Sequence, residues 1–566
     1  MTLSLFPRRF LVCTMIIGLL AAGAGNAAAQ YDPAYAQNAM VAGPEPLAVE
    51  AGVEIMRQGG NAFDAAAAIG FALAVTYPVA GNIGGGGFMV AYTAEGEQLF
   101  LDFREMAPQS AFSDMYLNEA GELVEGRSTG TLLAVGVPGT PHGLLTMQGD
   151  YGVMPRESVL QPAVDLAQEG FETPYSLHAS LEGYQDKLMQ FESSAEAFYP
   201  EGEPPAMGDV FAQPDLAATL KRIQGDGISG FYEGETARLM AEYMSEHDGL
   251  ITEYDMARYH SKYRDPVVFD YKDYQLITPN LPSSGGITMA QVLKLVEPFP
   301  LQAMGYHSAE YINTVVEAER LAFADRNHYH GDRDFVDVPV EGLLSEAYLD
   351  ARRREMPRSA AGDSEEIGHG NPESEQTTHF CVVDEEGNVV AITYTVNSGY
   401  GMGAVVDGAG FVLNNEMDDF TAKPGEPNQF GLVQSAANEV APGKRPLSAM
   451  TPTIVLQDGE FAFTMGTPGG PTIITTNIQI FLNKVEFGMN IREAIDSFRF
   501  HHQHLPDVIS HEPRAFSPDT EHKLLRMGYT LRERRSIGFA CGIERTDDGL
   551  LAGHSDARGA GKVAGY

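Results

Sequence analysis

The sequence is poor in basic residues. It contains 37 lysines and arginines against 77 aspartates and glutamates, so the formal net charge of the 566 residues is −40. A surface this acidic repels phosphate backbones and anionic lipid headgroups, which argues against nucleic acid and against a membrane surface as partners. The composition, 44% hydrophobic and 20% charged, is typical of a globular protein.

Long apolar runs are also scarce, and the one candidate lies at the N-terminus. Arg8 and Arg9 precede an apolar stretch over residues 10–24, and small residues follow at 27–29. This stretch of about 15 residues is shorter than the roughly 20 that a membrane span needs. We therefore predict a signal peptide over residues 1–29 and an exported protein, either periplasmic or secreted.

Cysteine is nearly absent. Of the three cysteines, Cys13 lies in the predicted signal peptide, which leaves Cys381 and Cys541. Two cysteines make no disulfide framework, and the sequence leaves open whether they pair. No CxxC, HExxH or paired Cys/His spacing occurs, and no Lys-Ser/Thr follows the glycines of residues 81–88. We therefore expect no metal ion and no cofactor.

What the sequence does contain indicates layered helices and sheets. Apolar spacing predicts helices over residues 44–58, 62–76, 215–245 and 307–327. Residues rich in β-branched side chains predict strands from 377 and again from 450 onward. These elements favour an α+β or α/β fold.

A hairpin is predicted where the first of these strands begins. Residues 377–397 (TTHFCVVDEEGNVVAITYTVN) place two alternating runs on either side of DEEGN. A three-residue loop closed by Asp384 and Asn388, with Gly387 in the left-handed conformation, fixes the register. In that register Thr377 lies opposite Thr395, so their hydroxyls can interact across the strands. On its own such a threonine pair is usually structural.

The segment before this hairpin gives Thr377 a second interpretation. Residues 356–376 are rich in Gly, Pro, Ser and Glu, which predicts a flexible and exposed segment. A flexible segment that ends at the first residue of a buried strand is what a self-cleaving precursor would show. Cleavage before Thr377 would free its α-amine to act as general base for its own hydroxyl.

The hairpin closely resembles the start of the small subunit of the γ-glutamyltransferases (glutathione hydrolases), a branch of the N-terminal-nucleophile hydrolases. Further family motifs follow in order over nearly all of the mature chain: RQGGNAFDAAAAIGFALAV, GNIGGGGFM, DFREMAP, LPSSGG, NNEMDDF, KRPLSAMTPTIV, GTPGG, RFHHQ and a final AGY. The resemblance implies an α+β fold, a four-layer αββα sandwich. It also implies a precursor cut between Gln376 and Thr377 into a large subunit (30–376) and a small subunit (377–566) that stay together as a heterodimer.

The resemblance assigns roles to individual residues. Thr377 is the nucleophile, Thr395 is its partner, and Gly469 and Gly470 in GTPGG form the oxyanion hole. The remaining matches contact the amino-acid end of a γ-glutamyl group: Arg104 and Ser448 at its carboxylate, Asp419 at its ammonium, and Glu416 and Asn397 as further contacts. Taken alone, Arg104 would be read as a surface arginine paired with Asp102 or Glu105, and the acids at 416–419 as a solvated loop.

Two positions depart from the family pattern, and a cluster of histidines needs a reading. Ala449 follows Ser448 where relatives have a second serine, and Phe430 stands where relatives often have a tyrosine that helps close the site. The histidines His501, His502 and His504 invite a metal interpretation, but RFHHQ matches a structural family motif.

The expected activity is attack of Thr377 on the γ-amide of glutathione or a similar γ-glutamyl donor. The glutamyl group would pass to water, or to an amino-acid or dipeptide acceptor. Two alternatives stay open. A cephalosporin (glutaryl) acylase shares the fold and nucleophile, but its substrates lack the ammonium, so the retained Asp419 and Arg104 favour the glutamyl substrate. An uncut, inactive scaffold or solute-binding protein would instead remain a single chain.

Overall fold

A computed structural model describes residues 32–367, 377–426, 428–429, 432 and 434–566. The predicted signal peptide, Gln376 and Phe430 lie outside the described residues. Among the helices of the described part, none has the length and apolar character required to cross a bilayer.

Most of the strands belong to two seven-stranded sheets in which every neighbouring pair is antiparallel. In chain order the strands are β1 Ala34–Ala36, β2 Met40–Gly43, β3 Gly86–Tyr92, β4 Gln98–Phe103, β5 Phe171–Glu172, β6 Val210–Phe211, β7 Lys262–Arg264, β8 Val267–Tyr271, β9 Tyr274–Thr278, β10 Thr378–Val383, β11 Val389–Thr395, β12 Thr453–Gln457, β13 Glu460–Gly466, β14 Phe500–His501, β15 Ile509–His511, β16 Leu531–Glu533, β17 Cys541–Arg545, β18 Leu551–Ser555 and β19 Lys562–Gly565. Sheet I has the order β1-β18-β17-β13-β12-β9-β8, and sheet II has the order β19-β2-β10-β11-β3-β4-β7. Strands β14–β16 and the pair β5-β6 form two small separate sheets.

Helices flank the two large sheets. In chain order they are α1 Pro46–Arg57, α2 Ala62–Thr76, α3 Thr140–Tyr151, α4 Arg156–Glu169, α5 Tyr175–Leu188, α6 Glu192–Phe198, α7 Pro214–Asp226, α8 Ser229–Tyr232, α9 Gly234–Glu246, α10 Glu253–Arg258, α11 Gly285–Val296, α12 Leu301–Met304, α13 Ala309–Tyr329, α14 Val340–Leu343, α15 Glu346–Glu355, α16 Ser364–Ile367, α17 Thr472–Phe487, α18 Ile491–Asp496 and α19 Pro518–Met527. Short 3₁₀ turns occupy Leu132–Ala134, Glu416–Asp419 and Ala436–Asn438.

Three apolar clusters show the layering. One joins α1 and α2 to the outer face of sheet II, and a second joins α11, α13 and α17 to the outer face of sheet I. The third lies between the sheets, where Phe88 and Val90 of sheet II meet Ile454 and Ile543 of sheet I. The result is the four-layer αββα sandwich that the sequence predicted, with the active strand β10 inside sheet II.

The hairpin prediction is confirmed in register. β10 and β11 pair from Val383 with Val389 outward to Thr378 with Tyr394, so the next pair along the ladder is Thr377 with Thr395. The Asp384 N–H donates to the Asn388 carbonyl at 3.1 Å, and Gly387 has φ +98°. A three-residue loop of this geometry needs a left-handed residue at its last position, which glycine supplies.

The predicted helices are also present, with one change. The second runs over Ala62–Thr76 as predicted, because Asn61 and Asp64 form a capping box at its start. The long helix expected over 215–245 is divided into α7, α8 and α9. Positive φ angles at Gly227 and Gly234 end one helix and begin another, since a left-handed residue cannot continue the α-helix.

The segment predicted to be flexible and exposed over 356–376 is described over residues 356–367. It is exposed at residues 358–360, 363 and 365, whereas Met356 and Ser364 are buried. The N–H of Gly362 donates to the buried Glu317 at 3.0 Å, and that of Ser364 donates to the partly exposed Asp507 at 2.9 Å. These two carboxylates therefore hold parts of this stretch, although it offers few apolar side chains.

Both sheets mix strands from the two sides of Thr377. In sheet II, β2, β3, β4 and β7 precede Thr377 in the chain, whereas β10, β11 and β19 follow it. In sheet I, β1, β8 and β9 precede it and the other four strands follow. A cut before Thr377 would therefore leave neither large sheet within one product chain.

Candidate active site

Thr377 lies between two cavities at the entry to β10. The residue is 7% exposed, and it lines both a small cavity and a larger one of about 360 Å³. A nucleophile in this position can hold the acyl part of a substrate on one side and its leaving group on the other. A cavity of about 720 Å³ lies elsewhere, among residues 193–216 and 405–410, and none of the predicted site residues lines it.

The small cavity brings together most of the residues predicted from sequence. Thr377, Thr395, Asn397, Glu416, Asp419, Ser448 and Gly470 all line it. Its volume is about 30 Å³, room for a water molecule or two but not for a glutamyl group. Substrate binding at this cavity therefore requires its walls to separate.

Arg104 does not line this cavity but lies behind two of its acidic walls. Its guanidinium forms ion pairs with Glu416 and, at 2.5 Å, with Asp419, and Glu105 accepts from it at 3.2 Å. The arginine is fully buried, so its interpretation as a surface residue is wrong. Three carboxylates thus surround one buried cation. A charged group that enters the cavity can replace one partner of these ion pairs.

Burial shifts the proton affinity of these acids. It raises the pKa of Glu105 to about 7, against the opposing charge of Arg104. It raises the pKa of Glu416 well above its usual range and also raises that of Asp419. One oxygen of Glu416, Oε2, has no hydrogen-bond partner among the described residues. The cluster therefore does not carry three full negative charges at neutral pH.

Asp418, between these acids in sequence, faces elsewhere. It accepts a hydrogen bond from Ser128 Oγ at 2.6 Å and one from the Gln429 N–H at 3.1 Å. Burial raises its pKa to about 7. These two hydrogen bonds hold the loop after residue 419, and Asp418 does not line the small cavity.

Arg326 is a cavity residue that the sequence interpretation missed. It lies in α13, is 1% exposed, and lines the small cavity beside Ser448. Its guanidinium donates to Ser284 Oγ at 3.2 Å and to Asn327 Oδ1 at 3.1 Å, which are both uncharged acceptors. Burial lowers its pKa to about 10, opposed by the charge of Asp419. The sequence signal was an arginine inside a predicted helix, which is not specific.

The two predicted oxyanion glycines precede helix α17. Gly469 has φ +137° and Gly470 has φ +54°, and a Cβ on Gly469 would lie 2.3 Å from Thr472 Oγ1. Gly470 faces the small cavity and Gly469 the larger one, with Thr377 between them. Backbone N–H groups at the start of a 16-residue helix provide positive partial charge where an oxyanion would form.

Local hydrogen bonds hold the remaining predicted residues. The Asn397 N–H donates to Thr395 Oγ1 at 2.8 Å, and Asn397 Nδ2 donates to the Asn415 carbonyl at 2.9 Å. Asn397 has φ +76°, a left-handed conformation that asparagine tolerates better than most side chains. Ser448 Oγ accepts from the Met450 N–H at 3.2 Å, and Ala449 lines the cavity next to it.

Of the three histidines near residue 502, His501 and His502 have protein partners, whereas both ring nitrogens of His504 have no hydrogen-bond partner among the described residues. Thr475 Oγ1 lies 2.8 Å from His501 Nδ1, and His502 Nε2 lies 3.2 Å from Asp507. These contacts favour the structural interpretation. Within the described ranges, the side chains close enough to share a metal ion are instead His379, Cys381 and Cys541. The structure has both cysteines as free, buried thiols.

Comparison with known proteins agrees with this geometry. Residues 48–566 match the family Gamma-glutamyltranspeptidase. The Glutathione hydrolase proenzyme of Escherichia coli (strain K12) is 43% identical over 541 residues, 95% of this chain and 93% of that protein. The crystal structure of cephalosporin acylase from Bacillus halodurans superposes with TM-score 0.83 at 27% identity, covering 94% of this chain and 97% of that one. Helicobacter pylori gamma-glutamyltranspeptidase superposes with TM-score 0.56 at 41% identity, covering 57% and 93%.

Proposed function

The chain belongs to the gamma-glutamyltranspeptidase family, and on that premise we propose that Thr377 is the nucleophile of its reaction. The protein is a glutathione hydrolase and γ-glutamyltransferase, made as a proenzyme. It cleaves the γ-glutamyl amide bond and passes the glutamyl group to water or to an amine acceptor. The observation that carries the role of Thr377 is its place between two cavities, beside the glycine pair that precedes α17.

The chemistry runs through the free amino end of Thr377. Its α-amine takes the proton of its own hydroxyl as Oγ attacks the γ-carbonyl carbon of the donor. The N–H groups of Gly469 and Gly470 stabilise the resulting oxyanion. The leaving amine takes up the proton and departs through the larger cavity. Water or an acceptor amine then enters from the same side and releases the glutamyl group from Thr377.

The amino-acid end of the donor would bind in the small cavity. Asp419 carries the carboxylate that suits an α-ammonium, with Asn397 and Glu416 beside it. Arg104 and Ser448 suit the α-carboxylate. Because Arg104 is occupied by Asp419 in this structure, the donor must separate this pair, its ammonium taking Asp419 and its carboxylate taking Arg104. Arg326, whose hydrogen bonds within the described part of the chain go to uncharged acceptors, adds a second cation to the carboxylate side.

The cleavage of the precursor and the cellular location of the protein are part of the same proposal. A cut between Gln376 and Thr377 would free the α-amine that the reaction needs, leaving subunits 30–376 and 377–566 as a heterodimer. Loss of residues 1–29 on export to the periplasm or beyond fits their charged and apolar pattern. Removing their two arginines changes the net charge from −40 to −42, since the segment has no acidic residue.

A glutaryl acylase remains the second candidate because an acylase shares the whole architecture at TM-score 0.83. The acid at position 419 discriminates between the two. A glutaryl side chain has no ammonium, so it would offer the buried carboxylate of Asp419 no partner to offset its desolvation. Among the solved structures, the 41% identity to Helicobacter pylori gamma-glutamyltranspeptidase, against 27% to that acylase, favours the glutamyl substrate.

The role of Thr377 is tested by Thr377→Ala with Thr378→Ala as matched control. Thr378 is the next residue, is 1% exposed, and its hydroxyl has no hydrogen-bond partner in the described chain. We expect Thr377→Ala to remain one uncut chain without release of glutamate from γ-glutamyl-p-nitroanilide. Thr378→Ala should be cut, with a small subunit whose mass begins at residue 377. Two subunits in purified Thr377→Ala would refute the assignment.

A further inference from the structure

A histidine and two cysteines meet between the two sheets, close to the nucleophile. His379 and Cys381 follow Thr377 at steps of two along β10, so the three side chains point to the same inner face. Cys541 begins β17 in the opposite sheet. The ring nitrogen of His379 and the sulfur atoms of both cysteines all lie within 4.8 Å of one another. The reaction proposed for Thr377 uses none of them.

The cluster is closed to solvent and contains an unsatisfied polar atom. His379, Cys381 and Cys541 are each at most 2% exposed. Thr393 Oγ1 lies 2.8 Å from His379 Nδ1, which leaves Nε2 as the other ring nitrogen. Nε2 is buried and has no hydrogen-bond partner among the described residues. A buried nitrogen without a partner is costly and calls for an explanation.

The opposite sheet is built to admit this imidazole. A Cβ on Gly466 of β13 would lie 2.3 Å from His379 Cε1 and 2.6 Å from Nε2. Only glycine therefore permits the ring to reach across the space between the sheets. The thiol of Cys541 lies 3.4 Å from the Ala42 carbonyl and 3.5 Å from the His379 carbonyl.

We propose that His379 Nε2, Cys381 Sγ and Cys541 Sγ bind one zinc ion. Imidazole and thiolate are the ligands that zinc prefers, at about 2.0–2.3 Å. Tetrahedral ligands at these lengths are about 3.5–3.8 Å apart, so atoms within 4.8 Å need shifts of about 1 Å to converge. The fourth position of the ion falls to a water molecule or a backbone oxygen.

Charge balance favours a divalent over a monovalent ion. Binding removes one proton from each thiol, and the two thiolates with a neutral imidazole offset the two charges of zinc. A monovalent copper ion would leave one net negative charge in the interior, which is costly. Since the ligands come from β10 and β17, the ion would join the two sheets within the small subunit. The burial of all three ligands means that the ion enters while the chain folds.

The test is the metal content of the full chain produced in zinc-supplemented cells. We expect about one zinc per chain in the wild type, retained on dialysis against EDTA, and less than a tenth of that in Cys541→Ala. His554→Asn is the control, because it removes a histidine of β18 that bonds Asp496 outside the cluster. Cys381→Ser provides a second zinc-free variant if Cys541→Ala does not fold. Both the uncut Thr377→Ala and the wild type should carry the ion.

Thiol titration in denaturant separates the rival states of the two cysteines. With zinc bound, the mature protein should show two reactive thiols per chain once denatured with EDTA. No reactive thiols and no zinc would mean a disulfide between Cys381 and Cys541, and the proposal would be overturned. Two thiols without zinc, in protein from zinc-supplemented cells, would overturn it equally.

Discussion

Replacement of Asp419 by asparagine tests how the enzyme recognises its donor. The change keeps the size of the side chain and removes its charge. Arg104 would still have Glu105 and Glu416 as partners, so this buried cation keeps two carboxylates. Folding and self-cleavage should therefore be normal. What the variant loses is the proposed counter-ion of the donor ammonium.

The size of the loss can be bounded from the burial of this acid. The side chain of Asp419 is 13% exposed, so its interaction with an ammonium is largely desolvated. Losing one partner of such a pair costs about 2–5 kcal/mol. At 1.36 kcal/mol per tenfold, kcat/KM for a γ-glutamyl anilide should fall between about 30-fold and several thousandfold. A glutaryl anilide lacks the ammonium, so its kcat/KM should change by less than about fivefold.

The assay is the ratio of the two kcat/KM values, measured on purified, fully cut enzyme. Asp418→Asn is the matched control, since Asp418 is the neighbouring acid but bonds Ser128 and the Gln429 N–H away from the cavity. Its ratio should stay near that of the wild type. If Asp419→Asn lowered both substrates equally, or neither, Asp419 would not bind the ammonium and the choice of substrate class would lose its main support.

Three further predictions concern single side chains. Ala449→Ser should restore a carboxylate donor and lower KM about tenfold, with kcat nearly unchanged, because the added bond of about 1.5–3 kcal/mol acts equally on ground and transition states; an unchanged KM in steady-state kinetics would contradict it. Arg326→Met should raise KM at least tenfold, while the melting temperature stays the same or rises, because the change removes a buried cation whose described hydrogen-bond partners are uncharged. A lower melting temperature with an unchanged KM would mean that the role of Arg326 is purely structural. Burial raises the pKa of Asp418 to about 7, so the folded protein keeps this proton at pH values where the unfolded chain has released it. The contribution of Asp418 to the stability of the wild type is therefore lost as the pH rises from about 4 to 7. The melting temperature of Asp418→Asn should not show this decrease, and parallel melting temperature profiles of the two proteins against pH would contradict the prediction.

Elements formed by residues close together in the sequence could be predicted from local sequence patterns. The loop DEEGN determined the register of β10 and β11, because a glycine at the last loop position admits one turn geometry. The helix over Ala62–Thr76 was predictable from its cap and its apolar run. The motif GTPGG was placed correctly next to Thr377 only through its likeness to a family, since 92 residues separate Gly469 from Thr377 in the sequence.

The contacts between residues far apart in the sequence could not be predicted from it, for a physical reason. Arg326 is 51 residues before Thr377 in the sequence, and nothing in the periodicity of α13 shows which of its faces meets the cavity. Arg104 was assigned to the substrate, but its partners Glu416 and Asp419 come from a loop more than 300 residues away. Cys381 and Cys541 likewise have no local pattern, because they meet only when the two sheets stack. The segment expected to be exposed before residue 367 is exposed only in part, because the N–H groups of Gly362 and Ser364 donate to the carboxylates of Glu317 and Asp507.

The mixing of strands in both sheets changes the molecularity of folding once the chain is cut. The precursor folds as one chain, in which every strand is tethered to its partners at a high effective concentration. After the proposed cut before Thr377, each product would lack strands of both sheets, and Tyr566 would be held by the N–H groups of Gln37, Asn38 and Ala39 from the other chain. Recovery from denaturation would then be a bimolecular reaction between two incomplete chains that expose apolar sheet edges. The cut enzyme would thus be protected by its unfolding barrier, because the route by which it first folded would no longer exist.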